Sequence, residues 1–192
     1  MLTKRPYPRD EYTFICTYTG RKYWPLNPHP DDVCIEDIAH HLALVNRFTG
    51  ATREPYSVAE HSIRVSNLVG QSMATLFSGD SLRLVALCGL LHDASEAYLQ
   101  DIARPFKHSP AMEGYRKIEA LNERVISEAF GLPFPWPPVV KRADNILLAT
   151  EMRDLLPFAS APDGIAILPD VIEPMSWREA EFVFLQTFKD LC

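Results

Sequence analysis

The sequence predicts an all-α protein, a bundle of helices that carries a small β-hairpin at its N-terminus. Apolar residues recur at helical spacing in several segments between residues 37 and 191, and prolines or glycines separate these segments. Residues that favour β-structure alternate only between residues 12 and 26. A chain of 192 residues, of which 47% are hydrophobic, suits one domain with a real core.

The N-terminal segment, residues 1–36, differs in composition from the rest of the chain. β-Formers alternate around Thr19 and Gly20, which predicts a hairpin. Prolines surround it, at Pro6, Pro8, Pro25, Pro28 and Pro30. We therefore expect residues 1–36 to form a hairpin and a proline-rich strap packed on the main domain, and residues 37–192 to form the helical bundle.

Three helices are predicted in the first half of the bundle. The first covers residues 37–46, where acidic residues lie near its positive end. We expect its adjacent histidines, His40 and His41, to be one surface and one packed residue rather than ligands. The second covers residues 57–69. The third begins near residue 80, contains the apolar run 82–91, and is expected to continue past His92.

The second half is predicted to contain three more helices. Residues 112–130 are strongly amphipathic, and Gly131 ends this helix. The prolines of residues 133–138 delay the next helix until Pro138, because proline lacks a backbone donor and pushes its predecessor out of the α region. That helix runs to about residue 156, and the last one runs from residue 176 or 177 to 191. The intervening segments, 101–110 and 157–175, are predicted loops.

Charge and cysteine content limit the classes of function. The net charge is −6, from 19 basic and 25 acidic residues, which argues against a nucleic-acid polymer as partner. An anionic small molecule would need a local cation or a metal, and Arg47 and His92 mark where these could be. The four cysteines lack zinc-type spacing and are interpreted as thiols. With no apolar signal segment and no membrane-length apolar run, we expect no membrane partner and a cytoplasmic protein.

A histidine and an aspartate, His92 and Asp93, stand side by side at the end of the apolar run 82–91. Burying an unpaired imidazole or carboxylate is costly, and a metal ion is one partner that satisfies both. On a continuing helix both could lean toward one point, with Glu96 one turn further along the same side. Two ligands do not fill a coordination sphere, so this hypothesis predicts further ligands elsewhere.

Two other predicted helices offer such ligands. His61 lies close to the apolar face of the second helix, and Asp144 lies at the border of the apolar face of the helix that begins at Pro138. Two imidazoles and two carboxylates suit one divalent transition metal, Co²⁺, Mn²⁺, Zn²⁺, Fe²⁺ or Ni²⁺, better than Ca²⁺. The alternative is that each is a satisfied core residue or a helix cap. The four together favour the metal.

The order and helical setting of His61, His92, Asp93 and Asp144 resemble the metal ligands of the HD-domain phosphohydrolases. The resemblance is stronger to the bacterial and phage branch of 5′-deoxynucleotidases and deoxynucleoside triphosphate hydrolases, and it covers roughly residues 37–156. In that branch the His-Asp pair is followed by Ala-Ser-Glu, by an aspartate and by a short proline-containing loop that ends in lysine. The corresponding residues here are Ala94, Ser95, Glu96, Asp101, Pro105 and Lys107. The resemblance implies an HD-domain helical bundle.

The resemblance also suggests roles for individual residues. Glu96 is expected to be the general acid or base, and Asp101 to position the nucleotide or assist proton transfer. Arg47 aligns with an arginine that contacts the phosphate, and Phe48 stands where the branch commonly has a tryptophan beside the sugar. Lys107 is a second candidate for binding phosphate. The alternatives are an exposed helix carboxylate for Glu96, a turn residue for Asp101 and a solvated cation for Lys107.

The resulting hypothesis is a metal-dependent phosphohydrolase of deoxynucleotides, acting on dNTP or dNMP. The ion would polarise the phosphoryl group, and Mg²⁺ could accompany a phosphate chain. The N-terminal segment resembles a phage and bacterial subgroup that includes enzymes destroying dATP, in which Arg21 and Lys22 could add charge. Three alternatives stay open: a strict 5′-deoxynucleotidase acting on monophosphates, a metal-containing signalling or binding module, and a cyclic-nucleotide phosphodiesterase. Exposed aromatics such as Trp24 and Trp136 suggest a homo-oligomer.

Overall fold

The computed structural model describes residues 7–157 and 161–192. Residues 1–6, which begin the predicted strap, and residues 158–160 of the predicted loop 157–175 lie outside this part. The described chain is mostly helical and contains one two-stranded antiparallel hairpin. The predicted fold class is confirmed. The division of the chain at residue 36 stays a prediction.

The elements follow the predicted order. They are β1 (Ile15–Cys16), β2 (Lys22–Tyr23), α1 (Ile35–Leu44), α2 (Val58–Met73), α3 (Gly79–Leu91), α4 (Glu96–Leu99), α5 (Arg104–Lys107), α6 (Glu113–Ala129), α7 (Pro138–Leu155) and α8 (Trp177–Leu191). Short 3₁₀ turns cover Pro30–Asp32, Arg47–Gly50 and Pro110–Met112. In the described residues, no helix is both long and apolar enough to cross a lipid bilayer.

The hairpin is shorter than the predicted alternation, with two residues in each strand. Ile15 pairs with Tyr23. Pro25 has no backbone NH and so cannot donate a further hydrogen bond to extend the second strand. Its turn is fixed to α1, because the fully buried carboxylate of Asp37 accepts hydrogen bonds from the backbone NH and the hydroxyl of Thr19, at 2.7 and 3.0 Å. The ring of Tyr23 stacks on Tyr98 with centroids 3.6 Å apart.

The bundle is centred on α2, which packs against α3, α7 and α8. Ser57 caps its N-terminus by accepting the backbone NH of Glu60. The contact with α3 is close at Gly89, where a Cβ atom would lie 3.0 Å from Cα of Ser66. This approach holds the end of α3, and therefore His92, near the first turns of α2, where His61 lies.

The bounds of α6, α7 and α8 are within a residue or two of the predictions, whereas α1 lies two residues earlier than predicted and α2 extends four residues further, to Met73. Larger differences occur around the His-Asp pair and in one loop. α3 ends at Leu91, and Glu96 begins the separate helix α4. Between them the backbone tightens, since the NH of Ala94 bonds to the carbonyl of Leu91 and the NH of Glu96 to that of Asp93. The expectation of one continuous helix from His92 to Glu96 is therefore wrong. The predicted loop 101–110 contains α5, with proline in its first turn.

Candidate metal and phosphate site

A cavity of about 700 Å³ opens between α7, α5 and the 3₁₀ turn that follows α1. Eight of the residues predicted to form the site line it: Arg47, Phe48, His92, Asp93, Glu96, Asp101, Lys107 and Asp144. The ninth, His61, is fully buried beside them on α2. The fold thus brings every predicted site residue to one place, from segments that are distant in the chain.

His92 and His61 each use one ring nitrogen to contact a protein acceptor. Nδ1 of His92 lies 2.8 Å from the carbonyl oxygen of Gly89, and Nδ1 of His61 lies 2.6 Å from Oε1 of Glu151. Carbonyl and carboxylate oxygens only accept, so Nδ1 carries the proton in both rings. In the neutral imidazole, Nε2 then presents a lone pair.

The two Nε2 atoms converge on Asp93. They lie 3.3 Å (His92) and 3.5 Å (His61) from Oδ2 of Asp93. The three ligand atoms all lie within 4.8 Å of one another. Both Nε2 atoms are buried and lack a hydrogen bond of good geometry within the described residues. Two imidazole nitrogens and a carboxylate that converge in this way share a cation, either a proton or a metal ion, and their chemistry fits a divalent metal ion.

Asp144 stands at the edge of this group. Its Oδ1 lies 3.4 Å from Nε2 of His61, and its Oδ2 accepts a hydrogen bond from Nζ of Lys141 at 2.7 Å. Although burial opposes it, the contacts with His61, His92 and Lys141 hold the pKa of Asp144 well below its usual range. Asp144 is therefore a charged carboxylate adjacent to the three convergent ligands, with one oxygen engaged by a lysine.

The protonation of His61 reflects the carboxylates around it. Burial and the neighbouring Arg47 both lower its pKa, but Glu151 and Asp144 outweigh them and raise the pKa of His61 to about 9. The pKa of Asp93 is lowered despite burial, because both histidines favour its charged form. Without a metal, a proton on His61 therefore compensates the carboxylates. A divalent ion bound at Nε2 competes with that proton.

Arg47 forms the wall of the cavity beside the histidines. Its guanidinium is held by Glu151, whose Oε2 lies 3.2 Å from Nε and 3.1 Å from Nη2, and its Nη1 lies 3.6 Å from Oδ2 of Asp93. The next residues, Phe48 and Thr49, have φ values of 54° and 52°, which non-glycine residues rarely adopt. This strained turn places the aromatic ring of Phe48 in the cavity wall, beside the guanidinium.

Glu96 is a buried carboxyl, not the exposed helix residue of the alternative interpretation. Only 5% of it is exposed, and its Oε2 has no hydrogen-bond partner among the described residues. Burial, then the charges of Asp93 and Asp101, raise the pKa of Glu96 well above its ordinary value, although Lys107 and Arg47 oppose this. A carboxyl whose pKa is raised in this way suits general acid catalysis.

Asp101 and Lys107 also line the cavity. Burial is the main cause that raises the pKa of Asp101, as it does for Glu96. Nζ of Lys107 lies 2.6 Å from Oε1 of Glu119 and 3.8 Å from Oε1 of Glu96. The lysine is therefore neither in an irregular loop nor a solvated cation, because it lies in α5 and is paired with α6.

Sequence reasoning missed two residues of α7, Glu151 and Lys141. Glu151 follows Asp144 by seven residues and therefore lies on the same helix face. A single carboxylate among the apolar residues of this face could have predicted a buried polar contact. Lys141 precedes Asp144 by three residues and lies on the same face.

Two basic residues suggested for phosphate binding, Arg21 and Lys22, do not line the cavity. Lys22 instead lies over the ring of Phe14, 4.5 Å from its centroid.

The adjacent histidines of α1 serve the hairpin. His40 stacks on Tyr18 with centroids 3.6 Å apart, and His41 contacts the carbonyl of Ala97 through Nδ1 and the backbone NH of Tyr18 through Nε2. Neither lines the cavity. Both histidines are half-buried and packed, so the expectation of one surface and one packed residue is wrong.

Comparison with known proteins extends these observations. A family model described as 5′-deoxynucleotidase YfbR-like matches residues 37–183. The chain is 39% identical over 185 residues to the uncharacterised protein YfdR of Escherichia coli (strain K12), which covers 93% of this chain and 96% of the relative. It is 37% identical over 161 residues to an uncharacterised protein of Rhodobacter capsulatus, covering 80% and 79% of the two chains. The convergent His-His-Asp group lies within the matched range, and the chain belongs to the YfbR-like 5′-deoxynucleotidase family of the HD-domain superfamily.

Proposed function

We propose that the protein is a metal-dependent phosphohydrolase of deoxynucleotides. The observation that supports it best is the convergence of two buried Nε2 atoms, from His61 and His92, on Asp93, where neither has a hydrogen-bond partner among the described residues. The family match supports a nucleotide as the substrate. His61, His92, Asp93 and Asp144 are the proposed metal ligands.

Nitrogen and oxygen ligands in this mixture suit Co²⁺, Mn²⁺, Zn²⁺, Fe²⁺ or Ni²⁺. When bound, such an ion polarises the phosphoryl group and lowers the pKa of a water molecule that can attack it. The protein supplies the ligand geometry, because the carbonyl of Gly89 and the carboxylate of Glu151 fix both histidine rings. Mg²⁺ accompanying a longer phosphate chain is part of the same proposal.

The remaining polar residues orient the phosphate and move protons. Arg47 offers its guanidinium to phosphate oxygens, for which its fork of donors is well matched. Glu96, buried and protonated, donates a proton to the leaving oxygen of the sugar, and Asp101 assists this transfer or positions the nucleotide. Lys107 provides a second positive charge in the cavity lining.

The shape of the cavity supports a nucleoside on one side of the ligands. Val140, Asp144, Leu148 and Met152 line it at intervals of four residues along α7, so it follows this helix for about 18 Å at about 1.5 Å per residue. Beyond Asp144, toward the C-terminus of α7, the wall is apolar and includes Phe48. We assign this arm to the sugar and base.

Toward the N-terminus of α7 the cavity is lined by Val140 and Trp136, and its lining also includes Lys107, Lys141, His108 and the carboxyl of Glu123. The two lysines could contact a longer phosphate chain, so we include dNTP among the proposed substrates. A strict 5′-deoxynucleotidase that accepts monophosphates only is the second candidate, supported by the name of the family. Preference for dATP stays a prediction.

Product analysis tests these proposals. The purified protein is incubated with dAMP, dATP and the other deoxynucleotides and with each divalent metal, and the products are separated by chromatography. Deoxyadenosine and triphosphate from dATP support triphosphate hydrolysis, whereas deoxyadenosine and phosphate from dAMP alone support the monophosphatase. No hydrolysis with any metal would contradict both and favour the signalling or binding module.

We also propose an assembly and a location for the protein. The two tryptophans expected to be exposed are half-buried, and Trp136 lines the cavity. Other apolar side chains, Leu76, Phe77 and Leu84, are exposed where α2 ends and α3 begins. We propose a homo-oligomer formed through this surface, to be tested by light scattering with Leu76→Glu as the disrupting variant. A cytoplasmic location accords with the four unpaired cysteines.

A further inference from the structure

One buried carboxylate connects two different parts of the site. Oε1 of Glu151 lies 2.6 Å from Nδ1 of His61 and accepts a hydrogen bond from the hydroxyl of Tyr56 at 2.8 Å. Oε2 of Glu151 accepts a hydrogen bond from Nε of Arg47 at 3.2 Å and lies 3.1 Å from Nη2 of the same residue. Each oxygen thus has two partners, and Glu151 is fully buried.

We propose that Glu151 is a positioning residue that sets the metal-binding form of His61 and the orientation of Arg47 at the same time. The inference rests on the proposed function, which assigns His61 to a divalent ion and Arg47 to the phosphate. It goes beyond that function because Glu151 itself contacts neither. The link makes metal binding and phosphate binding depend on one side chain.

The chemistry of the carboxylate explains why both groups depend on it. A carboxylate only accepts hydrogen bonds, so His61 must present the proton at Nδ1 and keep the lone pair of Nε2 toward Asp93. The same carboxylate holds Nε and Nη2 of Arg47, which leaves Nη1 directed to the centre of the site, 3.6 Å from Asp93. Since Glu151 is buried, water cannot replace it without rearrangement.

The variant Glu151→Gln separates this role from a general contribution to stability. A carboxamide has the shape of a carboxylate but carries one acceptor and one donor. If its NH₂ group faces His61, that ring must accept at Nδ1 and carry its proton at Nε2, which blocks the metal. If the NH₂ group faces Arg47 instead, two donors oppose each other and the guanidinium moves. Either orientation therefore damages one identifiable half of the site.

Metal binding and phosphate binding are measured separately. Zn²⁺ affinity is measured by calorimetry without nucleotide, and KM and kcat are measured at saturating metal with the deoxynucleotide that the wild type hydrolyses. We expect Glu151→Gln to weaken Zn²⁺ binding by roughly 10- to 100-fold or to raise KM by a similar factor. The matched control is Asp37→Asn, which alters another fully buried, doubly hydrogen-bonded carboxylate far from the cavity. It should lower the melting temperature and leave Zn²⁺ affinity and KM within twofold.

A measurement on the wild-type protein tests the proposal even if the Glu151→Gln variant does not fold. In the zinc-loaded protein, ¹⁵N NMR of the histidine rings should show His61 protonated at Nδ1 and bound through Nε2. Protonation at Nε2 would overturn the proposal, as would a Glu151→Gln protein whose Zn²⁺ affinity and KM both equal those of the wild type. If the wild type binds Zn²⁺ but hydrolyses no nucleotide, the proposed function fails, while the zinc affinity and the tautomer still decide the role of Glu151.

Discussion

The acid–base role of Glu96 can be tested by a substitution that hardly changes the shape of the site. Glu96→Gln keeps an oxygen near Lys107, which lies 3.8 Å from Oε1, and removes only the transferable proton. A positioned general acid typically contributes a factor of about 10² to 10⁴ in rate, or about 3 to 5 kcal/mol. We therefore expect kcat to fall by that factor, with KM changing less than threefold because Arg47 and the metal ligands stay in place.

The burial of Glu96 adds a second, independent expectation about stability. Its folded-state pKa is raised, mainly by burial, so the folded protein retains a proton that the unfolded chain loses at its lower pKa. This group therefore favours folding at a pH below its unfolded pKa, and that stability is lost as the pH rises toward the folded value. Glu96→Gln, which cannot ionise, should thus gain stability relative to the wild type as the pH rises through this window.

Two assays check these expectations. Steady-state kinetics at saturating metal gives kcat and KM, and urea denaturation of the metal-free protein at several pH values gives the free energy of unfolding. Glu128→Gln, on an exposed residue near the C-terminus of α6, is the control and should change neither quantity. A Glu96→Gln protein with full activity would refute the proton-donor role, and one whose relative stability is independent of pH would refute the raised pKa.

Three further predictions concern the arginine, the helix contact and the metal. Arg47→Lys keeps the charge but loses the fork of donors, so KM should rise at least tenfold in steady-state kinetics while Zn²⁺ affinity changes little. Gly89→Ala forces a Cβ within 3.0 Å of backbone Cα of Ser66 and should cost roughly 1 to 3 kcal/mol in urea denaturation, whereas Gly114→Ala, with open space around it, should not destabilise. Because the pKa of His61 is about 9 without metal, Zn²⁺ affinity measured by calorimetry should increase about tenfold per pH unit between pH 6 and about 9, and a flat profile would contradict proton competition.

The helices and most of the site could be predicted because their signals are local. An apolar face at helical spacing marks α6 and α7 directly, and prolines and glycines mark their ends. The histidines, Asp93 and Asp144 stand out as polar residues at apolar faces. Whether these residues converge, however, depends on how α2, α3 and α7 pack. The family resemblance implied this packing, but the helical pattern alone did not predict it.

Other features depend on contacts that are distant in sequence. The separation of α3 from α4 results from tightened hydrogen bonds after Leu91, although the residues themselves favour a continuous helix. The role of Glu151 requires three partners, His61, Tyr56 and Arg47, that lie about 100 residues away in the chain. Arg21 and Lys22 became candidates for binding phosphate through their charge and the resemblance of the N-terminal segment to a subgroup of relatives, but they do not line the cavity.

The pairing of charges around the cavity predicts an order of binding. Three cations at the cavity are already engaged by carboxylates: Arg47 by Glu151, Lys107 by Glu119 and Lys141 by Asp144. An incoming phosphate therefore competes with these carboxylates while the site holds only a proton on His61. We propose that a bound divalent ion would replace that single charge with two and, by engaging Asp144, would free Lys141 to contact the phosphate.

Nucleotide binding should accordingly require the metal. In the hydrolysis-deficient Glu96→Gln protein, calorimetry with dAMP or dATP should detect binding after Zn²⁺ loading and at least tenfold weaker binding after chelation. Lys141→Gln should leave the Zn²⁺ affinity within a few fold and reduce this difference, because the released ammonium is missing. Equal nucleotide affinity with and without metal would mean that the paired cations bind phosphate without help, and the metal would then serve the chemistry of hydrolysis only.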